Sequence, residues 1–104
     1  MDFVVIADHS PQNCPSSNAK VRKQLSEGFP QLPNLAKRLG VEVTFVGIPM
    51  VDHKIFMVVK AQNFEAVRNL IVESAIMQTN TVHIYPTVSF EEAIKSVEKL
   101  PTIF

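Results

Sequence analysis

Few side chains in this sequence are equipped for chemistry, and they are unevenly placed. There is one cysteine, Cys14, and there are three histidines, His9, His53 and His83. Four residues separate His9 from Cys14 in the stretch Asp8-His9-Ser10-Pro11-Gln12-Asn13-Cys14-Pro15-Ser16-Ser17-Asn18. Imidazole and thiolate are the usual donors to zinc, copper or nickel, so His9, Cys14, His83 and His53 form a candidate metal-binding set. The same residues offer a second chemistry. A thiol just ahead of a helix N-terminus is biased toward thiolate, and a nearby imidazole can serve as its base, so Cys14 and His9 are candidate catalytic residues. The third reading is a small-molecule pocket with Met50, Met57, Phe45, Phe56, Phe64, Ile76 and Met77 as walls. Its polar groups would include His9, Ser17, Asn18 and His83, with Tyr85 on the same strand face as His83. Each reading has a plainer counterpart: a free cysteine packs as a small apolar residue, and methionines and aromatics at strand or helix spacing form core.

Other catalytic patterns are missing. Glu91 and Glu92 suit the positive end of a helix and need no further role. Gly28, Gly40 and Gly47 are scattered, so no phosphate loop is present.

Composition narrows the function classes. At 104 residues the chain is sized for a single domain, residues 1–104. Ten basic residues balance ten acidic ones. That neutrality argues against a nucleic-acid or anionic-membrane partner, each of which calls for a basic field. A lone cysteine cannot close an internal disulfide, and no signal-peptide pattern or membrane-length apolar run is seen, so the expected location is cytoplasmic.

The elements that must position these residues follow from periodicity. Asp2 to Asp8 is short and β-branched, a first strand. The loop then runs to a helix over Asn18 to Glu27, capped by Ser17 or Asn18. Gly28-Phe29-Pro30 breaks that helix, and Pro33 opens a second piece that Gly40 closes. Val41 to Met50 and Ile55 to Ala61 read as a hairpin around Val51-Asp52-His53-Lys54. Asn63 caps a helix with Phe64, Val67, Leu70 and Ile71 on one face, ending around Ser74 to Gln78. Thr79 to Thr87 is a fourth strand, and its Pro86 marks an edge or an end. Ser89-Phe90-Glu91-Glu92 is a capping box opening a last helix.

This order, βαββαβ with a split first helix and an extra C-terminal helix, is the ferredoxin-like α+β arrangement. Right-handed crossovers place the strands in the order 4-1-3-2, all antiparallel. Both central strands are apolar on both faces: Phe3, Val5 and Ala7 against Val4 and Ile6, and Ile55, Met57 and Val59 against Phe56 and Val58. Helices cover one face only, so a homodimer through the open sheet face is expected. In element order and two-faced strands the chain resembles the dimeric α/β-barrel superfamily, an uncharacterised branch of it by its His9-to-Asn18 loop and its ending Glu98-Lys99-Leu100-Pro101. The resemblance implies a sheet-to-sheet dimer and implies no catalytic residue.

Topology carries the three histidines and Cys14 to one end of the sheet. The expected function is therefore a small homodimeric protein that holds a transition metal or small ligand at that end. The alternatives are a small cofactor-free oxygenase-like or thiol-dependent enzyme, and a non-catalytic structural or regulatory dimer.

Overall fold

The computed structural model describes residues 1–104. Four strands form one sheet: β1 (Asp2–Asp8), β2 (Glu42–Gly47), β3 (Lys54–Lys60) and β4 (Thr81–Thr87). Their order is β2-β3-β1-β4, with every neighbouring pair antiparallel. Read from the other edge this is the expected 4-1-3-2, and the fold is ferredoxin-like. The helices are α1 (Ala19–Gly28), α2 (Leu32–Arg38), α3 (Phe64–Glu73), α4 (Ile76–Thr79) and α5 (Phe90–Glu98).

The split of the first crossover is as the sequence suggests. Phe29–Gln31 is a turn of 3-10 helix between α1 and α2. Pro33 lies in the first turn of α2, where its missing N–H removes no helix bond. At the other end Gly40 has φ +73°, the left-handed conformation that glycine adopts without penalty. The Val41 amide donates to the Ala36 carbonyl at 2.8 Å and the Gly40 amide to that of Lys37 at 3.2 Å. These paired bonds are the Schellman closure, and Ala36 and Val41 are both buried beside it.

Where the sequence suggests one helix ending around Ser74 to Gln78, the structure has two. α3 ends at Glu73 with Ser74 as its C-cap, and Ala75 takes φ 64° before α4 begins. A non-glycine residue seldom adopts this conformation, and no glycine is present to announce the break.

The core lies on one face of the sheet. Phe3, Val5, Met57 and Val59 meet Leu32 and Ala36 of α2 and Val67, Leu70 and Ile71 of α3. By alternation, Val4, Ile6, Phe56 and Val58 point to the other face. Phe45 joins them because β2 shifts register between Val43 and Phe45. Thr44 sits in this bulge and its hydroxyl donates to the Val58 carbonyl at 3.0 Å. The Phe45 ring lies over Gly47, where a Cβ would approach it to 2.5 Å.

Leaving aside the single turn α4, two helices stand apart. α1 and α5 bury none of their residues. Phe90 is 80% exposed and Val97 60%, so α5 does not seat its apolar side on the sheet. The radius of gyration, 16.2 Å, exceeds the roughly 13 Å of a compact chain of this length.

Candidate functional site

The antiparallel register assembles the site. Asp8 is paired with Lys54 on β3 and with Thr81 on β4. One residue further, His9 therefore faces His53 on one side and Asn80 on the other. The His9 amide donates to the His53 carbonyl at 3.1 Å, which docks the β2–β3 turn against the end of β1. The turn is stiffened by Asp52, whose carboxylate accepts from the His53 amide at 2.7 Å. The His9 and His53 rings lie 5.6 Å apart, edge to face.

The loop before α1 brings in Cys14. Pro11–Asn13 forms a turn of 3-10 helix, and the Cys14 carbonyl then accepts the amides of Ser17 and Asn18 at 3.0 and 2.8 Å. Asn18 is the helix cap: its Oδ1 accepts from the amides of Lys20 and Val21 at 3.0 and 3.1 Å. Its Nδ2 donates to the Gln12 carbonyl at 2.7 Å, and the Ser17 hydroxyl donates to the Pro11 carbonyl. Arg22 reaches back to the carbonyls of Pro15 and Ser16 at 2.8 and 2.9 Å. Ser17 and Asn18, read from the sequence as ligand contacts, here hold the loop that carries Cys14.

His9, Cys14 and His53 converge. One donor atom from each lies within 4.8 Å of the others, and the three residues are half-buried. Three such side chains can hold a metal ion. The hydrogen-bonding role of His9 Nδ1 can be read from its neighbours. Asn80 Nδ2 donates to the Ile76 carbonyl and to the Thr79 hydroxyl, at 3.0 and 3.1 Å. Its Oδ1 is thus an acceptor, 2.8 Å from His9 Nδ1. His9 must donate from Nδ1, so in the neutral ring Nε2 carries the lone pair and can act as an acceptor or metal ligand. His53 Nδ1 is buried with no hydrogen-bond partner, an atom in search of one.

Cys14 is tuned by the same neighbourhood. Its Sγ lies 2.9 Å from the Ser16 hydroxyl. The hydroxyl and backbone of Ser16, then the nearby His53 and His9 rings, lower the thiol from its ordinary 9.0 to about 6. Nearby donors, rather than the helix N-terminus that the sequence suggested, account for this shift.

His83 and Tyr85 stand elsewhere. Val82 and Ile84 pack toward the core, so the residues between and after them point to the open face. There His83 Nε2 is 3.9 Å from Asp8 Oδ2, and Lys54 binds the other oxygen of Asp8. Lys54 holds the Asp8 carboxyl below the usual range, and Asp8 raises Lys54 in turn. Tyr85 is 6.3 Å from His83, ring to ring, and nearly parallel to it. His83 shares the end of the sheet with His9 but not its face.

A cleft of about 390 Å³ opens beside His9, between α1, the start of β3 and the Ser74–Asn80 segment. Of the walls suggested by the sequence, only Ile76 lines it. Met57 is in the core, Met50 is fully exposed at the hairpin, and Phe45 and Phe56 face the other way. Asn80 was missed altogether.

No protein-family model matches the chain. No curated protein matches it either. Among known structures, the de novo designed protein Ferredog-Diesel aligns with a TM-score of 0.53 at 17% identity, covering 83% of this chain and 85% of that one. The C-terminal domain of the MgtC protein from Mycobacterium tuberculosis gives 0.49 at 12% identity, over 81% of this chain and 84% of its own. The first likeness supports the ferredoxin-like fold, and neither bears on function.

Proposed function

We propose that this chain is a small metal-binding protein in which His9, Cys14 and His53 hold a transition metal. The observation that carries the reading is the convergence of these three donors within 4.8 Å, with His53 brought to the His9–Cys14 loop from a distant hairpin turn. The donor set suits zinc, and copper or nickel by ligand type. Asn80 behind His9 has the form of the outer partner that orients a metal-bound imidazole. Three protein donors would leave a position for a further ligand. His83 would contribute only through a rearrangement of the sheet end. The test is zinc and nickel titration of chelator-treated protein by calorimetry. A one-to-one complex is expected, lost in Cys14→Ser and in His53→Ala. Equal affinity in those variants would refute it.

One observation favours a second reading, a thiol-dependent enzyme. Asn80 orients His9 while His9 lies beside a thiol lowered to about 6, so the Cys14–His9–Asn80 series has the parts of an activated nucleophile. The two readings separate in one assay. Zinc that protects Cys14 from iodoacetamide supports the metal site, whereas rapid labelling unaffected by zinc supports the thiol.

We also infer a homodimer through the open sheet face. Val4, Ile6, Phe56 and Val58 are only half-buried there, and Phe45 is 55% exposed. A twin sheet would cover them.

A further inference from the structure

We propose that the cleft under α1 binds an uncharged, mainly apolar molecule carrying one hydroxyl, with the hydroxyl at His9. This deepens the preceding reading: the cleft opens beside the same histidine, but it does not require the metal. α1 has an apolar side, Val21 and Leu25, and the body of the protein presents Leu32, Ile55 and Ile76 toward it. These surfaces do not close on each other. α1 buries no residue, and the gap between the two walls is the cleft. Its volume, about 390 Å³, falls in the range of pockets for small organic molecules. Water in such a gap would leave both apolar walls wetted, and a ligand of matching character would remove them from water together.

Charge selects the ligand further. Glu27 is the one carboxylate lining the cleft, and no lysine or arginine joins it. An anion would face that carboxylate without a compensating cation. His9 and Asn80 make one polar end, and Asn13, Gln24, Ser74 and Thr79 add uncharged polar groups to the lining. Asn80 accepts from His9 Nδ1 and spends its own N–H groups on Ile76 and Thr79, so the neutral His9 ring offers an acceptor at Nε2. The complementary head is a donor, and a hydroxyl fits. With a metal on His9, the same hydroxyl oxygen is a suitable donor to the remaining coordination position. Ala75, held at φ 64°, also lines the cleft, so a strained backbone forms part of its wall.

The experiment is calorimetric titration of the full chain with three probes of one shape: 2-naphthol, 2-methoxynaphthalene and 2-naphthoate. It is run on chelator-treated protein and again after addition of zinc. One molecule of 2-naphthol per chain is expected in both cases. 2-Methoxynaphthalene, which cannot donate, should bind about tenfold more weakly, as expected for one lost hydrogen bond, and 2-naphthoate more weakly still. Leu25→Gln, on an exposed helix, should weaken 2-naphthol at least about tenfold. Ile94→Ser, on the apolar side of α5, should leave it unchanged. Equal binding of the three probes, or sensitivity to Ile94→Ser but not to Leu25→Gln, would overturn the proposal. Absence of 2-naphthol binding with zinc bound would sink the cleft and spare the metal site. Binding of 2-naphthol without zinc uptake would do the reverse.

Discussion

Cys14 is a thiol whose acidity is set by three residues that meet only in the folded chain. In chelator-treated protein its alkylation rate should follow a titration with a midpoint at about 6. Ser16→Ala removes the largest cause of that shift and should move the midpoint upward. The same shift makes stability pH-dependent. The folded thiol ionises at about 6 and the unfolded one near 9.0, so the thiolate's contribution is full above the upper value and is lost as pH falls through the lower one. The melting-temperature difference between the wild type and Cys14→Ala should therefore grow as pH rises between these values. Asn80→Ala frees the His9 ring, and zinc affinity should fall about 10- to 100-fold without loss of the fold. His9, Cys14, His53 and His83 stand out in the sequence because imidazole and thiol are rare in this chain, but sequence alone favours His83 over the turn residue His53, and the structure places His53 with His9 and Cys14 instead. Asn80 was not legible, since asparagine is ordinary in loops and its role depends on register. Extending the pairing of Asp8 with Thr81 by one residue would have found it. Extending that of Asp8 with Lys54 brings His53 opposite His9 by the same step.

Elements were read well wherever a residue type dictates backbone geometry. Gly28-Phe29-Pro30 divides the first crossover, and Gly40 ends α2 in the left-handed conformation it suggests. Gly40→Ala should lower stability by about 1 kcal/mol, measured by urea unfolding, because alanine is strained where glycine is not. Ala75 presents the inverse case. It occupies the same region of backbone space without the residue that would signal it, which is why the break between α3 and α4 was invisible. Ala75→Gly should raise stability by up to about 1 kcal/mol in the same assay. The misread pocket has a similar origin. Hydrophobic spacing places Phe45, Phe56 and Met57 on strands, but only the bulge at Thr44 determines which face Phe45 takes. Helix spacing likewise says that α1 has an apolar side, not that the side stands off the sheet.

The whole molecule is extended because two of its amphipathic helices do not close on the core, which comprises only 12 buried residues. One sheet face is covered by α2 and α3, and the other is bare. Phe56→Lys places a charge at the centre of the bare face. If the chain is a dimer, this should convert it to a monomer at micromolar concentration while leaving zinc affinity unchanged, because His9, Cys14 and His53 lie on the opposite side of the sheet. A wild-type chain that sediments as a monomer would refute the dimer.

The sheet's two outer strands are guarded in different ways. β2 is kinked at Thr44, and β4 carries Pro86, which has no N–H to offer a newcomer. Both devices discourage the strand addition by which exposed borders seed fibrils. Copies of this chain are thereby steered away from lateral zippering, so self-association through its bare apolar face should not propagate strand by strand.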